Sequence, residues 1–166
     1  MTVNKTISQQ AIGLLAWLAL LFIVAAVGSL GSLNAPNFYA ELTVPTWAPP
    51  GWLFGPVWTT LYTMMAIASW LIWREYGFSA VSKRAHLANF TQLALNMLWS
   101  WLFFAWYFGA VSFIEILFLW CAIVLTIIHF WRLNRIAAVM LIPYLAWVSF
   151  AAVLNFSIWQ LNPGIL

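Results

Sequence analysis

The stretch "LALNMLWSWLFFAWYFGAVSFIEILFLWCAIVLTIIHFW", Leu93–Trp131, holds one formally charged side chain, Glu115, in 39 residues. As one α-helix it would be about 58 Å long, roughly twice the ~30 Å hydrocarbon layer of a bilayer. It therefore reads as two membrane spans, with "YFGAVS" around Gly109 as the reversal. Working outward at about 20 apolar residues per crossing, the chain divides into five spans: 11–33, 54–73, 86–107, 112–131 and 136–159. Pro143 lies inside the last and is expected to kink it, freeing a carbonyl near Val139. The expected architecture is an all-α integral membrane protein, one domain over 1–166. It is a five-helix transmembrane bundle with a proline- and tryptophan-rich loop between the first two helices.

Composition points the same way. Only 5% of the 166 residues are charged and 66% are apolar, against roughly a quarter charged in soluble domains. The first span exceeds the ~7–15 apolar residues of a signal peptide, and "SLNAP" is a poor cleavage site. The lone Cys121 lies in an apolar run and offers neither a disulfide nor a cysteine-based metal site. The net charge of +3 is scattered over six Lys and Arg, so no basic stripe for nucleic acid exists.

Those six cations test the span count. Five crossings put the N-terminus, the second connection and the fourth connection on one side. Those segments carry Lys5, then Arg74, Lys83 and Arg84, then Arg132 and Arg135, which is every basic residue in the chain. Basic residues concentrate in cytoplasmic loops. The N-terminus is expected in the cytoplasm and the C-terminus outside, in a bacterial cell membrane.

The loop and second-span entry, "VPTWAPPGWLFGPVW" (Val44–Trp58), is too proline-rich for a helix and too aromatic for a solvated linker. Pro45, Pro49 and Pro50 stiffen it, so that Trp47 and Trp52 can lie over the bundle as a lid, while Trp58 points inward. Of the other tryptophans, Trp70, Trp73, Trp106, Trp131 and Trp159 fall near span ends, as an interfacial belt requires. Trp17, Trp99, Trp101, Trp120 and Trp147 lie deeper, where an indole N–H wants a partner.

Helical spacing groups the deep rings with polar side chains. Gln92, Asn96, Trp99 and Phe103 share one face, Tyr144, Trp147, Ala151 and Asn155 another, and Trp58 and Tyr62 stand one turn apart. Polar groups avoid lipid, so these faces turn inward. Two readings follow: helices held together by amide hydrogen bonds, or an aromatic cavity for a flat ligand. "SFIE" reads as a capping box from Ser112 to Glu115, with a wall carboxylate as the alternative. His86 and His129 are expected at the interface. "AWYFG", Ala105–Gly109, is a small-xxx-small match that could bring two chains together. No nucleophile–base–acid set, phosphate loop or metal cluster is visible.

Long motifs then match a known family in order. "PTWAPPGWLFGPVWTTLY", "LALNMLWSWLFF", "PYLAWVSFAAVLNF", "AVGSLGS" and Glu115 make the chain resemble the tryptophan-rich sensory protein or translocator protein family, also called the peripheral-type benzodiazepine receptors. The resemblance implies a five-span bundle, often a homodimer, around a pocket closed by the first loop. Its implied ligands are porphyrins such as protoporphyrin or haem, and synthetic isoquinoline carboxamides, with no required cofactor. By motif position the pocket takes Trp58, Tyr62, Asn96 and Trp147, with Trp47 in the lid and Ala151 and Asn155 beside them; Trp99 and Phe103 join from the shared helix face. Animal members also take sterols through a tyrosine-then-basic motif. Here that region reads "LNFSIWQLNPGIL", with neither residue.

The resemblance implies a membrane sensor or carrier for tetrapyrroles, acting in tetrapyrrole or stress responses. An alternative is a light-dependent porphyrin-degrading enzyme with Trp58 or Trp147 as the redox-active ring; another is a regulatory membrane partner that binds no ligand. The sequence carries no acid–base apparatus for the enzyme, and no inverted repeat for a proton-coupled transporter. The lid side has no Lys or Arg, so porphyrin binding should respond little to salt.

Overall fold

The computed structural model describes residues 5–166. Helix α1 (Ile7–Gly31) begins four residues before the first expected span because Thr6 closes a capping box: its Oγ1 accepts from Gln9 N, and Gln9 Oε1 accepts from Thr6 N. A short helix α2 (Ala35–Glu41) follows, with Pro36 in its first turn. The proline-rich run ends in a 3₁₀ turn (Gly51–Leu53) leading into α3 (Phe54–Tyr76). Helix α4 (Lys83–Ser100) continues as a π-helical turn (Trp101–Ala105), and α5 (Gly109–Leu133) returns beside it. Helices α6 (Arg135–Val139) and α7 (Ile142–Leu161) complete the chain.

The described residues are thus all helical, without strands, but they are not five simple rods. There are seven α-helices, or six if α6 and α7 count as one helix broken at Met140–Leu141. The expected proline kink is a full break: Pro143 sits in the first turn of α7, where its missing N–H costs nothing. Three stretches are long and apolar enough to cross a membrane by length and composition: α1, α5 and the α6–α7 run. Helix α4 is shorter and more polar, carrying Lys83, Arg84, His86, Asn89, Gln92 and Asn96.

Helix α1 leans on two different partners. At its start Gly13 lies so close to the Trp73 ring of α3 that a Cβ would overlap it. There Trp70 Nε1 donates to Gln10 O (2.9 Å), and Lys5 Nζ donates to the terminal carbonyls Trp73 O (2.9 Å) and Arg74 O (3.3 Å). At its far end α1 leans instead on α4, with Gly28 against Met97, Gly31 against Trp101, and Trp101 Nε1 donating to Val27 O (3.1 Å). The two ends of α1 are held by different helices, and the main cavity lies beside its second half.

Several local expectations change. The chain reverses before α5 at Tyr107, within the expected Tyr107–Ser112 stretch, and it is Tyr107 that takes the left-handed conformation (φ 57°). Gly109 serves close packing: a Cβ there would press on Trp159 and Leu166. Gly109 of the Ala105–Gly109 motif is therefore packed within the chain. The capping box at Ser112–Glu115 does not form, because α5 starts three residues earlier; Ser112 Oγ donates to Gly109 O (2.9 Å) and Glu115 is buried with neither oxygen hydrogen-bonded. His86, in the first turn of α4, is buried, stacked on Trp17 and hydrogen-bonded through Nε2 to Gly77 O (2.9 Å).

Candidate ligand cavity

A cavity of about 930 Å³ lies between α1, α2, the start of α3, the second half of α4, and α7. Its volume falls at the upper end of the ~300–1,000 Å³ usual for small-molecule sites. Its aromatic wall comes from Trp58 and Tyr62 of α3, Trp99 of α4 and Trp147 of α7, with Phe54 and Trp52 from the loop end. Trp58 stands with its centroid 5.9 Å from Tyr62 and 6.3 Å from Tyr144, and Phe54 meets Trp147 edge-on at 5.8 Å. Such offset and edge contacts are the favoured aromatic geometries, so the wall is stiff.

Beneath the wall runs a buried hydrogen-bonded chain. Tyr62 OH donates to Asn96 Oδ1 (2.6 Å), Asn96 Nδ2 to Tyr144 OH (2.9 Å), and Tyr144 OH to Gln92 Oε1 (3.0 Å). Gln92 Nε2 then donates to Asn89 Oδ1 (3.1 Å), and Asn89 Nδ2 to Ser69 Oγ (2.9 Å). It ties α3, α4 and α7 together, because each amide left alone at this depth would cost about 1–3 kcal/mol. Two residues of the wall carry polar atoms outside any such network: Trp147 Nε1 and Tyr39 OH are buried without a hydrogen-bond partner and closed off from the open space. Burial also pushes the Tyr39 phenol above its ordinary value, so it stays a protonated donor at neutral pH.

The loop closes over this region from the α7 side. Phe38 and Leu42 are buried against Phe103, Leu154 and Ile158. Asn162, just past α7, clamps the loop backbone from both sides, accepting from Thr43 N (2.8 Å) and donating to Thr43 O (2.9 Å).

The structure brings Trp58, Tyr62, Asn96, Trp99, Trp147 and Ala151 to this one cavity. Trp47, Phe103 and Asn155 are placed elsewhere. Trp47 is 47% exposed and rests edge-on against Phe150 (5.8 Å). Phe103 stacks behind Trp99 at 5.5 Å, and Asn155 accepts from Trp99 Nε1 (2.9 Å), so both hold that ring from behind. Sequence reasoning missed Tyr39 and the α1 side, Phe22, Ala25, Ala26 and Ser29. Those four share a helical face, but small residues on an apolar helix carry no chemical signal. No group of His, Cys, Asp and Glu suited to a metal ion occurs among the described residues.

Fold and cavity together define an all-helical integral membrane protein with an aromatic-walled cavity at one end of its bundle. The TspO/MBR family model matches residues 14–160, and the chain belongs to that family. It is 39% identical over 153 residues to a tryptophan-rich protein TspO of Archaeoglobus fulgidus, covering 90% of this chain and 98% of that one. It is 35% identical over 144 residues to protein CrtK of Rhodobacter capsulatus, covering 84% and 88%. It is 38% identical over 129 residues to the human translocator protein, covering 77% and 76%.

Proposed function

We propose that the cavity receives a flat, largely apolar ligand of the porphyrin type, and that the chain acts as a membrane sensor or carrier for it. The observation that carries this reading is a 930 Å³ cavity walled by the rings of Trp58, Tyr62, Trp99 and Trp147. A relative from Cereibacter sphaeroides, 33% identical over 150 residues, bears the name tryptophan-rich sensory protein, which favours a sensing role.

In the membrane, α1, α3, α4 with its π turn, α5 and the α6–α7 run make five crossings, with the cations Lys5, Arg74, Lys83, Arg84, Arg132 and Arg135 on the cytoplasmic side of a bacterial cell membrane. Cysteines placed at residues 40 and 80 should label from opposite sides; labelling from one side refutes this topology. A homodimer would use a face other than Ala105–Gly109, because Gly109 packs on Trp159 and Leu166.

The test is titration of the purified protein with protoporphyrin, read by tryptophan quenching, then illumination in air with absorbance spectra. Saturable quenching supports the cavity, and its absence refutes it. Porphyrin bleaching only with intact Trp58 and Trp147 would move the function from sensing to light-driven oxidation by dioxygen, a reading favoured by the two rings lining the same cavity.

A further inference from the structure

The polar chain beneath the cavity has a direction. Ser69 Oγ donates to Met65 O (2.7 Å), a bond within α3 itself. With that proton committed, Ser69 can only accept from Asn89 Nδ2, which turns Asn89 Oδ1 toward Gln92 Nε2 and Gln92 Oε1 toward the Tyr144 hydroxyl. Tyr144 oxygen is then left to accept from Asn96 Nδ2, and Asn96 Oδ1 accepts the Tyr62 proton. All five donations from Tyr62 to Ser69 run in one sense. Bonds in such chains strengthen one another, so the amide orientations far from the cavity fix the hydrogen at its wall. All six side chains are buried, but only Tyr62 and Asn96 line the cavity.

The consequence appears at Tyr62. Its proton points into the protein, so the cavity meets a lone pair. We propose that the cavity reads a donor on its ligand, an N–H or O–H that donates to the Tyr62 oxygen. Gln92, Asn89 and Ser69 are positioning residues that set the sense of that point without touching the ligand. This rests on the cavity reading above and specifies the hydrogen-bonding pattern its ligand must carry.

Breaking the chain beyond Tyr144 releases the sense. In Gln92→Met, near in shape but without hydrogen bonds, the Tyr144 proton loses its acceptor and can turn to Asn96 Oδ1. The Asn96 amide then flips, its N–H₂ donates to Tyr62, and the Tyr62 proton is freed into the cavity.

The probes are 6-hydroxyflavone and 6-methoxyflavone, flat molecules sharing one carbonyl and differing in a single donor, titrated against the purified full chain by tryptophan quenching. The wild type should prefer the hydroxyflavone roughly two- to tenfold, the worth of one hydrogen bond. Tyr62→Phe should bring the ratio to about one. Gln92→Met should do the same or invert it while keeping methoxyflavone affinity, an outcome that mere loosening of the fold would not give. An unchanged ratio in Gln92→Met, or no preference in the wild type, overturns the proposal. Saturable protoporphyrin binding with neither flavone bound also overturns it and leaves the cavity reading standing, whereas no saturable binding of any of the three overturns both.

Discussion

Asn162→Ala should free the loop without unfolding the bundle. Asn162 is buried, and its side chain makes three hydrogen bonds: with Thr43 N (2.8 Å), Thr43 O (2.9 Å) and Ile158 O (2.7 Å). The bond to Ile158 lies within the end of α7 and persists when the loop lifts, so it does not count toward docking. The two bonds to Thr43 exist only in the docked state, at a net ~0.5–1.5 kcal/mol each. Their loss lowers the free energy of local opening by ~1–3 kcal/mol, raising the open population about 5- to 160-fold. Phe38 and Leu42 stay buried against Phe103, Leu154 and Ile158, so the loop remains mostly docked. Hydrogen–deuterium exchange should speed up by that factor in peptides covering residues 37–48, with α3 and α5 unchanged. Protoporphyrin dissociation should accelerate in parallel, since a lid must open before a ligand leaves. Unchanged exchange in the loop, or equal loss of protection in every helix, would refute the clamp.

Three further outcomes follow from particular contacts. Gly13→Ala should cost about 1–3 kcal/mol through overpacking against Trp73, lowering the thermal midpoint in detergent; Gly55→Ala, whose Cβ meets nothing within 4 Å, is the control and should change little. Asn155→Ala leaves Trp99 Nε1 without its acceptor, so thermal unfolding should report a loss of about 1–3 kcal/mol, with weaker protoporphyrin binding as the ring loses its support. Replacing Pro49 and Pro50 with glycine raises the entropy of the free loop by about 0.8–2 kcal/mol in total; protoporphyrin affinity should fall roughly four- to thirtyfold with the helical circular dichroism unchanged.

The parts readable in advance were those carried by helical spacing. Trp58 with Tyr62, and Asn96 with Trp99, turn inward because polar and aromatic groups recur on one face of α3 and α4. Placing Asn155 and Phe103 in the same wall failed for a geometric reason: sharing a helical face with Trp147 or Asn96 does not make a residue equally deep, and both sit behind Trp99. Tyr39 was hidden because α2 has seven residues in what reads as a proline-punctuated loop. The break at Met140–Leu141 was signalled by Pro143, but its degree was not, since proline either kinks a helix or starts a new one. The reversal fell in the stretch "YFGAVS" that the span lengths pointed to, but spacing did not show the division of labour inside it: Tyr107 takes the left-handed turn, while the missing Cβ of Gly109 is used for packing.

The central claim is that one aromatic cavity, with Trp147 in its wall, binds a flat ligand. The most direct measurement is the protoporphyrin dissociation constant, by fluorescence titration of wild type and Trp147→Phe in the same detergent, at low and high salt. Trp147→Phe shrinks one aromatic face of the wall, a contact worth ~0.5–1.5 kcal/mol, so affinity should fall roughly two- to tenfold while the thermal midpoint holds or rises, because a buried unsatisfied N–H is gone. Salt should change neither constant by much, since no cation lines the cavity. Equal affinities in the two proteins, or quenching that never saturates, would contradict the account.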